Sequence, residues 1–280
     1  MILSKPDHIK IYGHRGARGN FPENTLGSFQ YLFNNSINAY ETDILISKDL
    51  IPVITHDFRL GPDVTKDSGG HWLKNDDIKI FDLTYEALSK FDISSINKKS
   101  KYGRRFADQK ILIDQKIPKL SELLELTSKN ISDEMVLNLE IKSTPIEDNL
   151  TPPPEVMVKL ITDVVSKSKL KDKIIYSSFD WRVLREIKNL DPKISRAYLT
   201  SEQKGKFYDK SPWMDFMPLY DSDSRELPRL IKTLGGEAWH PKHKDISRDI
   251  VKISHEEGLP VNVWTVNEEY DMMRMIDYGV

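Results

Sequence analysis

Hydrophobic residues recur along this chain in two rhythms, short β-branched runs and longer stretches with helical spacing. Their regular alternation predicts a parallel sheet wound with helices. Strands are expected at 10–14, 40–46, 135–142, 173–179, 194–200, 236–240 and 260–266. Helices are expected at 24–35, at 119–129 after Pro118, at 153–168 after a run of prolines, at 180–190 opening on Asp180, and at 245–257 before Gly258. Segment 51–56 is expected to form a hairpin with the second strand across a Lys48-Asp49 turn. Seven such strands predict a single α/β domain over 1–280, a TIM-type (β/α)8 barrel, with its eighth strand expected beyond Val280.

Residues 57–118 are too many for an ordinary connection. Rich in Asp, Lys and Ser, with one helical patch at 84–91, they read as an insertion at the barrel mouth. Trp72, Tyr102 and Phe106 are expected to pack it onto the barrel, with substrate contact the alternative.

Composition narrows the picture. The 280 residues are 39% hydrophobic, enough for a large core. The 41 basic and 43 acidic residues are spread along the chain, which argues against a nucleic-acid surface or a polybasic membrane anchor. There is no cysteine, so disulfides, thiolate nucleophiles and Cys-based zinc sites are excluded. No stretch approaches 18 apolar residues, so no transmembrane helix is expected. The first residues run at once toward a strand without a hydrophobic signal region. The expected location is cytoplasmic, with a periplasmic or secreted one the alternative for a chain that has lost a leader.

Four polar clusters carry candidate chemistry. They are His14-Arg15-Gly16-Ala17-Arg18 with Pro22-Glu23-Asn24-Thr25, then Glu41-Thr42-Asp43, His56-Asp57, and Glu140-Ile141-Lys142. Residues two apart on a strand share a face, so Glu41 and Asp43 point together, as do Asn138, Glu140 and Lys142. In a barrel these polar faces meet near the carboxyl-terminal mouth. Glu41, Asp43 and Glu140 form an all-oxygen donor set suited to Mg2+ or Ca2+ and not to zinc. Those three carboxylates with one divalent cation leave one negative charge, and Arg15 with Lys142 brings the site to +1, matched to a phosphodiester monoanion. Strict metal dependence is the expectation. His14 and His56, each at a strand end, are candidates for proton transfer. Arg15 offers a planar fork to phosphate oxygens, and Gly16 permits close approach of backbone. For Trp264, a buried barrel residue and an aromatic wall beside a polyol stand level. His8, His71, His240, His243 and His255 are expected to be structural or at the surface, with a minor site role the alternative for His240 and His243 near a strand end.

At these residues the chain resembles the glycerophosphodiester phosphodiesterase family, in its bacterial form. His-Arg-Gly with Pro-Glu-Asn-Thr (14–25), Glu-x-Asp (41–43), His-Asp (56–57), Glu-x-Lys (140–142) and Trp-Thr-Val-Asn (264–267) occur in the family's order. The resemblance implies a barrel shared with phospholipase C-like phosphodiesterases and hydrolysis of substrates such as glycerophosphocholine or glycerophosphoethanolamine to glycerol 3-phosphate and an alcohol. It also implies His14 and His56 as acid and base, and Glu41, Asp43 and Glu140 as metal ligands. Arg15 and Lys142 would hold phosphate, and Trp264 would line the glycerol side. The expected partner is a small-molecule glycerophosphodiester, with no nucleic acid and no integral membrane segment. Alternatives are a cyclising enzyme that stops at a cyclic phosphate, a lysophospholipase D, and a non-catalytic binding barrel. The lysophospholipase would want an amphipathic membrane-binding patch, which the sequence lacks. The binding barrel would want a histidine or carboxylate replaced, and all five are present.

Overall fold

A computed structural model of the chain describes residues 9–201, 210–218 and 226–280; His8 lies outside them. Contacts divide the chain into two compact units, one of Ile11–Lys142 with Glu147–Ile174, the other holding Ser143–Ile146 and Ile175–Val280.

The first unit runs β1 (Gly13–His14), α1 (Leu26–Asn34), β2 (Ala39–Ile46), β3 (Pro52–Ile54), α2 (Tyr85–Leu88), α3 (Lys101–Arg105), α4 (Leu120–Lys129), β4 (Val136–Ile141) and α5 (Pro154–Val165). Strand β2 is its centre, parallel to β1 and β4 and antiparallel to β3. Both β2 and β4 are buried along nearly their whole length, as parallel strands covered on both faces are. Pro52 sits at the end of a strand that pairs on β2, where a missing amide hydrogen costs little. Phe29 of α1 stacks on Tyr40 of β2 with centroids 4.9 Å apart, and the Tyr40 hydroxyl meets Thr127 Oγ1 of α4 at 2.7 Å.

The expected strand at 10–14 shortens to β1. Its ladder stops after His14 because Arg15 (φ 53°) and Gly16 (φ 78°) turn the backbone into the left-handed region. The segment 57–118 shares a hydrophobic cluster with the β2–β3 hairpin, formed by Leu45, Val53, Leu60, Ile80, Leu88, Ile93 and Ile117. Its two short helices start on side-chain caps. Thr84 Oγ1 accepts from the Ala87 amide for α2, and Ser100 Oγ from the Gly103 amide for α3.

The second unit runs β5 (Ile174–Ser178), α6 (Trp181–Leu190), β6 (Arg196–Thr200), α7 (Glu226–Thr233), β7 (Ala238–Pro241), α8 (Arg248–Glu256) and α9 (Glu269–Tyr278). Its strands pair in parallel, β5 with β6 and β6 with β7. Buried Asp180 caps α6 by accepting from the Arg182 amide at 3.2 Å, and it also accepts from Ser143 Oγ at 2.8 Å. The expected strand at 260–266 is not regular. It meets the β7 segment only through single bridges, Val261 to Trp239 and Trp264 to Lys242. Pro241 and Pro260 interrupt the ladder there, since neither has an amide hydrogen to give.

Candidate active site

The loop after β1 is shaped by contacts only its own residues make. A Cβ at Gly16 would lie 2.6 Å from Ser28 Oγ, the atom that accepts the Ala17 amide at 2.7 Å. The tight turn aims the Arg15 amide at Glu41 Oε2, 2.9 Å away. Asn24 takes a positive φ of 54°, which asparagine tolerates, and its amide returns to the Arg15 carbonyl at 2.9 Å. Its side chain donates to Asp43 Oδ2 at 3.0 Å and accepts from Thr42 Oγ1 at 2.9 Å. Thr25 then caps α1. Thus the Pro-Glu-Asn-Thr motif orients an acidic side chain of β2.

Parallel register sets Glu41 opposite Asn138 and Asp43 opposite Glu140. One oxygen from each of Glu41, Asp43 and Glu140 lies within 4.8 Å of the others. Buried Glu41 Oε1 and Asp43 Oδ1 accept no hydrogen bond. Burial, then the charges of Asp43 and Glu140, push the Glu41 carboxyl well above the ordinary carboxylate range. Burial works against Asp43 too, but His56, Arg15, Lys142 and the Asn24 hydrogen bond outweigh it and hold that carboxyl below its usual range. Three clustered carboxylates, two of them with a buried oxygen that accepts no hydrogen bond, fit a hard divalent cation, which prefers oxygen donors.

The cations interleave with these acids. Lys142 Nζ donates to Glu140 Oε1 at 2.6 Å and lies 3.6 Å from Asp43 Oδ1. Arg15 Nη1 donates to Glu23 Oε1 at 2.7 Å, with its Nε 3.5 Å from Asp43 Oδ2. His14 Nε2 is 3.6 Å from Glu41 Oε2. Burial, then the Arg18 and Arg15 charges, lower the His14 pKa well below the imidazole range and keep the ring neutral. His56 follows β3, where the Thr55 amide binds the Asp43 carbonyl at 3.1 Å; its Nδ1 meets Asp57 Oδ1 at 2.6 Å.

Seven of the eight expected site residues therefore gather in the first unit: His14, Arg15, Glu41, Asp43, His56, Glu140 and Lys142. The eighth, Trp264, belongs to the second unit. There its Nε1 donates to the His240 carbonyl at 2.9 Å and its ring stands edge-on to Phe179. Sequence reasoning placed Glu23, Asn24 and Arg18 in a candidate cluster without giving any of them a role of its own, and gave Tyr102 a packing role. Glu23 carries a charge opposite to Arg15 eight positions earlier, a signal that was present in the loop. Glu23 and Arg18 add one charge of each sign, so the charge balance read from the sequence is unchanged. Tyr102 of α3 donates to Glu23 Oε2 and stacks edge-on with Phe106, so these two aromatics pack the insertion onto the site loop. Trp72 lies under Lys66, 4.7 Å from its ammonium.

Parallel strands alternating with helices, with buried carboxylates and two imidazoles gathered beside the end of β1, define the class: an α/β phosphodiesterase of TIM-barrel type. A model of the glycerophosphoryl diester phosphodiesterase family matches residues 14–280. A glycerophosphodiester phosphodiesterase of Bacillus altitudinis is 26% identical over 273 residues, covering 97% of this chain and 91% of that protein. One of Caldanaerobacter subterraneus subsp. tengcongensis is 26% identical over 270 residues, covering 96% and 90%. Among solved structures, a Silicibacter pomeroyi DSS-3 protein with a provisional glycerophosphoryl diester phosphodiesterase name superposes with a TM-score of 0.89 at 32% identity, over 100% of this chain and 90% of that one. An Oleispira antarctica phosphodiesterase, solved with the product sn-glycerol-3-phosphate, gives a TM-score of 0.71 at 24% identity, over 97% and 90%. The chain belongs to the glycerophosphoryl diester phosphodiesterase family.

Proposed function

We propose that the protein hydrolyses glycerophosphodiesters, glycerophosphocholine and glycerophosphoethanolamine among them, to glycerol 3-phosphate and an alcohol in a divalent-cation-dependent reaction. The observation that carries this reading is the buried trio Glu41, Asp43 and Glu140, one oxygen of each within 4.8 Å of the others, with Glu41 Oε1 and Asp43 Oδ1 accepting no hydrogen bond. The three carboxylates would hold Mg2+ or Ca2+, which would supply Lewis-acid polarisation of a phosphoryl oxygen. Arg15 and Lys142 bring positive charge to the same cluster and favour a phosphodiester anion. Glu23 fixes the Arg15 fork and Asn24 fixes Asp43, so neither has to reorganise when substrate arrives.

His14 and His56 are the two groups assigned to the proton transfers. A carboxylate only accepts, so Asp57 holds His56 with its proton on Nδ1 and Nε2 as the basic atom. Trp264 as an aromatic contact for glycerol is part of the proposal that rests on family resemblance alone.

The test is release of glycerol 3-phosphate from glycerophosphocholine by EDTA-treated protein before and after Mg2+ or Ca2+ is restored. Turnover that vanishes with EDTA and returns with metal supports the reading. Turnover indifferent to EDTA removes the metal from it. No turnover with either ion, on both head groups, overturns the substrate assignment.

A further inference from the structure

Arg18 is buried, and nothing so far accounts for it. Its Nη2 lies 2.8 Å from His14 Nδ1. A guanidinium has donors and no acceptor, so at this contact the imidazole must accept. An Nδ1 that accepts carries no hydrogen, and a neutral ring with no hydrogen on Nδ1 carries it on Nε2. His14 Nε2 is the ring atom on the side of Glu41 and the carboxylate cluster. His56 has the opposite arrangement, because its Nδ1 partner is a carboxylate. The two imidazoles therefore differ in form: His56 offers a lone pair at Nε2, and His14 offers an N–H.

The same guanidinium is held from the insertion. Its Nη1 donates to the Tyr102 hydroxyl at 3.4 Å, its Cζ lies 5.0 Å over the Phe106 ring, and Gln109 Nε2 donates to the Arg18 carbonyl at 2.8 Å. Tyr102 in turn donates to Glu23, the partner of Arg15. The segment 101–109 thus secures both arginines of the site loop.

We propose that Arg18 is a positioning residue that holds His14 with its proton on Nε2, so that His14 acts as a hydrogen-bond donor to charge developing on the phosphodiester while His56 is the proton acceptor. This rests on the function proposed above, and the experiment separates the two. Side-chain 15N spectra of the full-length, histidine-labelled protein with Mg2+ are recorded, the His14 signals being identified by their loss in His14→Gln. The wild type is expected to show His14 protonated at Nε2 alone. Arg18→Met should mix the tautomers and lower kcat about 10- to 100-fold, the range for outer partners that fix a histidine, with KM changed less than about threefold. Arg18→Lys, also a donor without acceptors, should restore the Nε2 form and most of the lost kcat.

Protonation of His14 on Nδ1 in the wild type overturns the proposal, and so does an unaltered tautomer in Arg18→Met. A tautomer that shifts with kcat unchanged overturns the positioning role and the participation of His14 together. An inactive wild type with the Nε2 form intact overturns only the substrate assignment. Should Arg18→Met fail to fold, the wild-type and Arg18→Lys spectra still decide.

Discussion

His240, in β7, is 2% exposed, and burial lowers its pKa from 6.5 to about 3. An unfolded chain protonates this ring below about pH 6.5, while the folded chain keeps it neutral down to about 3. The unfolded state therefore binds more protons in that window, and folding stability falls as pH falls through it. Between pH 7.5 and 5 the expected loss from this residue is about 2 kcal/mol. Urea unfolding of wild type and His240→Leu at both pH values checks it: the difference between them should move by about that amount in favour of the variant at pH 5. A difference constant with pH would show that His240 titrates normally. Of the structural and surface readings open to His240 and His243 in the sequence, burial of both removes the surface one. Charge signs and the alternation of strand faces were enough to group Glu41, Asp43, Glu140 and Lys142. The parts of Asn24 and Arg18 were not readable, because each depends on a loop turning through positive φ, which brings Asn24 to Asp43 on the next strand and folds Arg18 back onto His14 four residues earlier.

At the scale of elements, the rhythm of long buried strands was legible: β2, β4, β5 and β6 lie within two residues of expectation at either end. Short elements escaped. The five residues of α3 are fewer than two helical turns and carry no amphipathic stripe, so only the Ser100 cap marks their start. Yet α3 delivers Tyr102 to the site loop. Its neighbour Gly103 packs so closely that an added Cβ would stand 1.9 Å from the Asn97 carbonyl oxygen and 2.5 Å from its carbon. Backbone must move to admit it. Gly103→Ala is expected to cost about 1–3 kcal/mol, the range for overpacking, and to draw Tyr102 away from Glu23. The expected result is a lower kcat from a residue that touches no substrate, with a lower urea midpoint. Unchanged activity in a destabilised Gly103→Ala protein would show that the insertion's hold on the loop has no effect on turnover.

Over the whole molecule acidic and basic residues nearly cancel, with a formal net charge of −2, so net repulsion contributes little to its stability. The electrostatic stress is local. Three buried carboxylates share one cluster, and Glu41 accommodates it with a strongly raised pKa. A cation that binds there binds the folded chain and not the unfolded one, so it stabilises by mass action, about 2.7 kcal/mol at a hundred times Kd. For a chain of 280 residues that corresponds to a rise in Tm of roughly 5 °C. Glu41→Gln separates this linkage from unspecific salt effects. The amide oxygen still accepts the Arg15 amide, and a neutral amide cannot ionise against Asp43 and Glu140. The variant should therefore match or exceed the wild type in EDTA and gain far less from Mg2+ or Ca2+. Melting curves of both proteins across a metal titration would then cross. Parallel curves with equal gains would place the stabilising ion elsewhere, and a wild type indifferent to metal would remove the ion from the cluster. The crossing arises because carboxylates gathered to hold a cation destabilise the fold until the cation is there.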